Sequence, residues 1–314
     1  MPSIVNAKTV PKAVDLAKVL DERTFALHQG VRTALMALPA GFSFPHPISG
    51  VNATDLFNLN ALIGAAIEDQ VVATLNRSRT LWDPNHQWDD CLFVRYSQSF
   101  PDVRLVRRER EAVQVVMGIE LKGWFVLSKE REPSLRYQVA PGACADADLV
   151  CVVPWYLDNA VCGEAKVLTP WIEQARYAAL WRDYWWENVR DSKDDEEMRK
   201  IVQPLSRVGP YPSKADLAHA VPVHDGGGNF GRLPRCKPLM DAFVQDTLDE
   251  DILGIPVRGW VDFLSLYKDN ADPNVIMERL SRKVRARNER MCEEEAEELL
   301  ALLRKLANNF DFGG

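Results

Sequence analysis

The sequence predicts an α/β or α+β protein: a sheet-containing core flanked by helices, followed by a mostly helical C-terminal lobe. Three observations predict it. A 20-residue stretch, "NLNALIGAAIEDQVVATLNR", repeats apolar residues with helical period. Four segments between residues 91 and 157 are rich in β-branched and apolar residues at strand length. After about residue 204 strand-like runs give way to loops and short helical patterns, so the order is helices, a strand cluster, a helix and a strand-poor lobe.

The elements follow in order. Residues 12–38 have a helical pattern, closed by the proline-bounded "PAGFSFPHP". In the next helix Leu59, Leu62, Ile63, Ala66, Ile67, Val71 and Leu75 form one apolar face, Asn58 is placed to cap the start, and Glu68 lies at the edge of the stripe. "LWDPNHQWDD" is a loop with an Asp83-Pro84 turn signal. "CLFVRYSQSF", "DVRLVRRE" and "AVQVVMGIELKGWFVLS" are strands. "DADLVCVVPWYL" is a further strand whose unbroken apolar character marks burial on both faces. Thr169-Pro170 has the form of a helix start, and the helix is expected to run through "WIEQARYAALWRDYWWENVR", its stripe of Tyr177, Trp181, Tyr184 and Trp185 packing on the sheet. Short helices are expected at 214–219, 237–249 and 259–268, and a long one at 274–308, basic first and acidic afterwards. The division is 1–203 for the α/β core and 204–314 for the helical lobe, the two packed together or continuous.

Composition narrows the function classes. A chain of 314 residues with 26% charged and 46% hydrophobic residues buries a sizeable core. Its longest apolar run, Leu149 to Leu157, is shorter than a membrane span and broken by Pro154, and the first residues lack a secretory h-region, so the expectation is a cytoplasmic protein without membrane contact. Six cysteines without a Cys-x-x-Cys pair indicate free thiols rather than a zinc ribbon or redox pair. A net charge of −7 excludes overall electrostatic steering onto nucleic acid and leaves room for local basic patches.

The chemistry concentrates in one hairpin. Residues i and i+2 of a strand share a face, so Glu120 and Lys122 project together while Leu121 enters the opposite layer. If 103–109 pairs with 113–123, Asp102 lies at the open end of the first strand, beside them. Two carboxylates, a backbone carbonyl such as that of Leu121, and water suit Mg²⁺. A neighbouring lysine orients a water and offsets charge developing on a phosphate.

Pro101-Asp102 followed by Glu120-Leu121-Lys122, with the 17 residues 103 to 119 between, resembles the PD-(D/E)XK nuclease signature shared by many restriction endonucleases. The resemblance covers residues 58–190 at most. It implies a restriction-endonuclease-like central mixed sheet flanked by helices. It further implies Mg²⁺, with Mn²⁺ as a substitute, held by Asp102, Glu120 and the Leu121 carbonyl; Lys122 at the attacking water; and Glu68 as a supporting acidic residue and further ligand. The implied reaction is hydrolysis of double-stranded DNA, leaving a 5′-phosphate, by a homodimer. Gln174 and Tyr177 resemble the Gln/Tyr pair of some nuclease subfamilies, at a Q-x-x-Y spacing. Two other Glu/Asp-x-Lys triplets, Glu164-Ala165-Lys166 and Asp191-Ser192-Lys193, lack the preceding Pro-Asp hairpin.

Candidate phosphate contacts are Arg104 and Arg107 beside the site, Arg232 and Arg235 around the "GGGNFG" loop, and Arg282 and Arg285 in the basic helix, each weighed against a solvated or edge-strand role. The glycine loop opens into Leu-Pro-Arg rather than a helix, which argues against a dinucleotide site. His219, His224 and Cys236 lack a zinc spacing. Sequence-specific cleavage competes with two alternatives: a repair or recombination nuclease, and a catalytically silent nuclease fold that binds DNA or assembles with other proteins.

Overall fold

The computed structural model describes residues 9–50, 58–96, 99–108, 113–128, 132–191, 193, 195–204, 209–212, 218–266, 275, 278 and 282. Chain order is α1 (Leu16–Val19), α2 (Glu22–Met36), α3 (Leu38–Gly41), α4 (Leu59–Arg77), α5 (Arg79–Trp82), β1 (Cys91–Arg95), β2 (Val103–Arg108), β3 (Val113–Phe125), β4 (Leu149–Leu157), β5 (Ala165–Val167), β6 (Trp171–Gln174), α6 (Ala175–Tyr184), β7 (Ile201–Val202), β8 (Val221–Pro222), α7 (Lys237–Asp249), β9 (Asp251–Ile252), β10 (Ile255–Pro256) and α8 (Val257–Leu264). The molecule is mixed α/β around a curled mixed sheet. β1, β2 and β3 are antiparallel, β4 joins β3 in parallel, and β5 and β6 both pair antiparallel with β4.

Local chemistry sets the elements. The Asp21 carboxylate caps α2 by accepting from Thr24 N at 3.0 Å. Asn58, expected to cap α4, makes no side-chain cap bond, because its own backbone is already helical. Instead α4 is fixed by its apolar face: Leu59, Ile67, Val71 and Leu75 are buried, and the helix packs on β1 and β3. The Asn76 amide completes the outer edge of β1, donating to Phe93 O and accepting from Phe93 N, both at 2.9 Å. Asp83 closes the turn before β1 by accepting from the Gln87 and Trp88 amides.

The helix start expected at Thr169-Pro170 is displaced. Residues 171–174 form β6, and α6 begins at Ala175. The cause is the sheet. β5 covers only Trp155 to Leu157 of β4, and the open ladder at Leu149 to Val152 takes Trp171 to Gln174 as its partner, which satisfies buried backbone groups. The aromatic stripe also differs from expectation. The core-facing side of α6 is Ala175, Ala178, Ala179, Arg182 and Asp183, while Tyr177, Trp181 and Tyr184, and Trp185 just beyond the helix, are only partly buried. Small residues let α6 approach the sheet more closely than the aromatic side would.

Side chains of Leu233, Met240, Val244, Leu248, Val257 and Val261 join the same hydrophobic core as the sheet. The helix expected at 237–249 is present as α7, and that at 259–268 as α8, which starts at Val257 and ends at Leu264; residues 267–268 lie outside the described ones. The helix expected at 214–219 falls largely outside the described residues, as does that at 274–308, of which 275, 278 and 282 are helical. No helix among the described residues is long and apolar enough to cross a membrane.

One buried polar knot ties α6 to the segments before and after it. Arg182, 1% exposed, donates to the carbonyls of Tyr137 (3.0 Å) and Val139 (2.7 Å) and pairs with Asp183, whose second oxygen accepts from Gln203 at 2.7 Å. Its guanidinium also lies over the Phe230 ring. Removing one partner of such a pair strands the other's charge in the interior. Arg182→Met is therefore expected to lower unfolding free energy by about 3–5 kcal/mol, read as a fall in the urea midpoint at unchanged m-value.

Candidate active site

The site is built by the β2–β3 pairing. From the turn upward Arg108 faces Val113, Arg107 faces Gln114 and Val106 faces Val115. Val116 is then left over as a bulge, and Leu105 faces Met117, Arg104 faces Gly118 and Val103 faces Ile119. The next rung sets Asp102 opposite Glu120. Without that extra residue the register at the turn would set Asp102 opposite Ile119, with Glu120 and Lys122 on the other face.

The three groups expected to converge do so. Asp102 Oδ2 accepts from Leu121 N at 3.0 Å, and Lys122 Nζ lies 3.7 Å from that same oxygen. Lys122 Nζ donates to Glu120 Oε1 at 2.6 Å. The side chains of Asp102 and Lys122 are 24% and 23% exposed and that of Glu120 9%, so the cluster lies at the surface with Glu120 at its floor. Glu120 Oε2 is buried without a hydrogen-bond partner. The Leu121 side chain is buried in the layer opposite, as alternation predicts.

Burial, then the Glu120 charge, raises the Asp102 carboxyl to about 7, against the pull of Lys122. Burial works against the Lys122 ammonium, but Glu120 and Asp102 outweigh it and hold its pKa above the ordinary lysine value. Lys122 is thus a cation, suited to orienting a water and offsetting negative charge rather than to accepting a proton.

Glu68 is near enough for its charge to act on Asp102 and Lys122. Its carboxylate, however, turns to Arg95, with Oε2 2.9 Å from both Nε and Nη2, and Asp69 stands 3.5 Å from the same guanidinium. Among the described residues no group of three or more His, Cys, Asp or Glu side chains is gathered as a metal site. The donor set still fits a small hard cation. Two carboxyl groups lie together at the end of the ribbon, one lifted by burial and then by the other's charge, and a buried oxygen lacks a partner.

A brace behind the site was not legible in the sequence. The Asp148 carboxylate, fully buried, accepts from Gly118 N, Ala145 N and the Tyr211 hydroxyl, each at 2.7 Å; burial raises it to about 7 against those donors. Arg104 lies over the Tyr96 and Tyr211 rings and donates to Phe100 O at 2.7 Å. Pro101 packs on Gly118, where an added Cβ would come within 2.2 Å of the proline ring. Asp148, Tyr211, Arg104 and Gly118 therefore hold the Phe100-Pro101-Asp102 corner. The only signal for this in sequence is an acidic residue directly before a buried strand.

The remaining candidates are apart from this cluster. Arg104 is engaged as above, and Arg107 pairs with Asp90 at 2.6 Å. Arg235 lies 3.5 Å from Glu132, and Arg282 pairs with Glu278. Arg232 borders the glycine loop, whose Asp225 carboxylate accepts from the Asn229 and Phe230 amides. That loop delivers Phe230 into a buried edge contact with Trp186. Arg285 lies outside the described residues. Glu164 and Lys166 pair in the open at the far end of β4. Gln174 Nε2 donates to Asp146 O, and Tyr177 sits on the partly exposed side of α6. Burial raises Cys236 to about 12, consistent with a packed thiol. No known protein family, curated protein or solved structure matches the chain.

Two outcomes follow from this geometry. Gly118→Ala forces Pro101 away and is expected to cost about 1–3 kcal/mol. Gly64→Ala, with open space around it in α4, is expected to be neutral or to stabilise by about 0.5–1 kcal/mol; thermal melts of the two variants give the contrast. The second concerns pH. A carboxyl raised from 3.8 to about 7 binds its proton more tightly in the folded state. Its contribution is therefore fully present below pH 4 and is lost as pH rises to 7. In EDTA, Asp102→Asn should remove this loss, leaving the variant more stable than wild type at pH 8 by on the order of 2 kcal/mol, with the gap closing by pH 4. Urea titrations across pH 4–8 check it.

Proposed function

We propose that the protein is a Mg²⁺-dependent endodeoxyribonuclease of the restriction-endonuclease type, cutting double-stranded DNA at specific sequences as a homodimer. The observation that carries the reading is the meeting of Asp102, Glu120 and Lys122 at one corner of the β2–β3 ribbon, with Glu120 Oε2 left unpartnered. Asp102 and Glu120 would hold the cation, with the Leu121 carbonyl completing the set. The cation would polarise the phosphate and lower the pKa of bound water. Lys122 keeps a water in line with the phosphorus and balances charge on the equatorial oxygens. Attack by that water breaks the P–O3′ bond, leaving a 3′-hydroxyl and a 5′-phosphate. Glu68 enters only if the Arg95 ion pair opens, and Arg95 is then released beside the site as a cation for a phosphate.

One observation favours the alternative of a silent nuclease fold that binds DNA or assembles with other proteins. The Lys122 ammonium pairs tightly with Glu120 and takes one of its two oxygens.

Plasmid incubated with Mg²⁺ separates the readings. Wild type is expected to cut, and to give discrete bands if cleavage is sequence-specific. Asp102→Ala, Glu120→Ala and Lys122→Ala should each reduce the rate by about 10³-fold or more, while Glu164→Gln cuts like wild type. Mg²⁺ should raise the melting temperature of wild type and not of Asp102→Ala. A folded wild type that cuts nothing over a range of metals and substrates, or variants that cut equally, defeats the nuclease reading.

A further inference from the structure

A polar recess of about 300 Å³ lies where β6 runs into α6, bordered by the N-terminal segment and by α2. Leu16, Phe25 and the Tyr177 ring supply apolar wall, and the charged groups of the lining are Asp15, Arg32 and Glu173. Val150, which pairs with both Glu173 and Glu120, is fully buried between them, so the recess stands apart from the Asp102 cluster.

The charges of this wall are not spent on one another. Asp15 is already paired with Lys18 at 3.0 Å. Glu173 uses one oxygen to accept from the Gln174 amide at 2.8 Å, and its other oxygen has no partner among the described residues. Arg32, half-buried, is near enough for its charge to act on Glu173 and on His28. Yet among the described residues its guanidinium makes no hydrogen bond or ion pair. Burial raises the Glu173 carboxyl above its ordinary value, and the Gln174 amide and the distant Arg32 offset this only in part. A cation seated against Glu173 would favour its charged form.

His28 belongs to the same wall. It is 2% exposed, and neither ring nitrogen has a hydrogen-bond partner. Burial, then Arg32, lowers it to about 4, so the ring is neutral and adds no charge to the recess. Unsatisfied buried groups cost about 1–3 kcal/mol each. An apolar ring would fill the place without that cost, and departures of this kind gather at functional sites.

The wall chemistry selects the ligand. A simple anion would meet Glu173 as well as Arg32, and a simple cation would meet Arg32 as well as Glu173. An uncharged molecule would leave both unmatched. A zwitterion matches both, its carboxylate taking the guanidinium fork and its ammonium the carboxylate. The volume is at the small end of ligand pockets, and the Leu16, Phe25 and Tyr177 wall suits an apolar or aromatic side chain. We infer that this recess binds a free α-amino acid with an apolar or aromatic side chain, its carboxylate on Arg32 and its ammonium on Glu173. The site goes beyond the nuclease reading and does not rest on it.

Calorimetric titration of the full-length protein tests this. The probes are phenylalanine and leucine, then N-acetylphenylalanine and phenylalaninamide, which each lack one charge. A phenylalanine dipeptide, with its charges one residue further apart, separates a free amino acid from a peptide. The free amino acids are expected to bind, and both capped forms and the dipeptide to bind at least about tenfold more weakly. Arg32→Met should remove the preference for phenylalanine over its amide. Glu173→Gln should remove the preference over the N-acetyl form. Two separate switches of this kind are not produced by residues that merely support the fold. Neither side chain bonds to another side chain among the described residues, so both variants should melt like wild type. The absence of saturation by either amino acid up to about 10 mM overturns the inference. So do capped forms that bind as well as free ones, and binding that both variants leave unchanged. A dipeptide that binds more tightly than phenylalanine overturns it in favour of a peptide ligand.

Discussion

The whole arrangement depends on two carboxylates held together at the end of a β-ribbon with one ammonium between them. Asp102 and Glu120 each lie one position beyond the Val103–Ile119 pair of the antiparallel ribbon, and the Glu120 charge acts on Asp102, so like charges repel there. A folded chain tolerates this only if something compensates. Lys122 compensates in part, through its 2.6 Å bond to Glu120, and the Leu121 amide compensates in part by donating to Asp102. Burial, with the Glu120 charge added to it, still lifts the Asp102 carboxyl to about 7, and a buried Glu120 oxygen has nothing to accept from. Perturbed carboxyls of this kind cluster where a substrate or ion completes a site, and structural ion-pair networks produce them as well.

The scaffold can hold this strained corner because it is fixed from behind. The Val116 bulge aligns the register, Gly118 lets Pro101 pack against the strand, and Asp148 pins Gly118 N while engaging Tyr211. Arg104 grips the Phe100 carbonyl from the same side. A basic residue next to an acidic site invites a phosphate-binding role, but here its donors and its ring contacts orient the loop that carries Asp102. Positioning and electrostatics are thus divided between two sets of residues, and only the second set has a recognisable pattern in sequence.

That division explains what could be read in advance. The α4 helix and the β2–β3 and β4 strands were legible because period and burial are local properties of the chain. That Glu120 and Lys122 share a face was legible from strand alternation, and a hairpin-sized gap brings Asp102 to the same end of the ribbon, but setting Asp102 on their face takes the Val116 bulge, which no local pattern signals. The β6 strand was not, since Trp171 to Gln174 becomes a strand only because β5 leaves half of β4 unpaired. Nor was the only partial burial of the α6 aromatics, which follows from the tight approach of Ala175, Ala178 and Ala179 to the sheet. Glu68 was placed correctly on α4, but its engagement with Arg95, 27 residues away, is a tertiary fact. The restriction-endonuclease character of the sheet is likewise a proposal resting on the motif, whereas the mixed α/β architecture is a property of the structure.

The fixed charges at this corner do not balance. Asp102, Glu120, Glu68 and Asp69 supply four carboxylates, and Lys122 and Arg95 supply two cations. With all four ionised the balance is −2, the deficit that one divalent cation would fill. Without it, the deficit falls to −1 where Asp102 retains its proton, up to about pH 7, while the one Arg95 cation is shared between Glu68 and Asp69. A divalent cation at Asp102 and Glu120 would displace that proton, so its affinity should rise with pH through the same interval. It would also weaken the local field that holds Arg95 against Glu68. In the nuclease reading, ion binding and the freeing of a phosphate-binding arginine are then consequences of one charge balance, with no separate conformational device required.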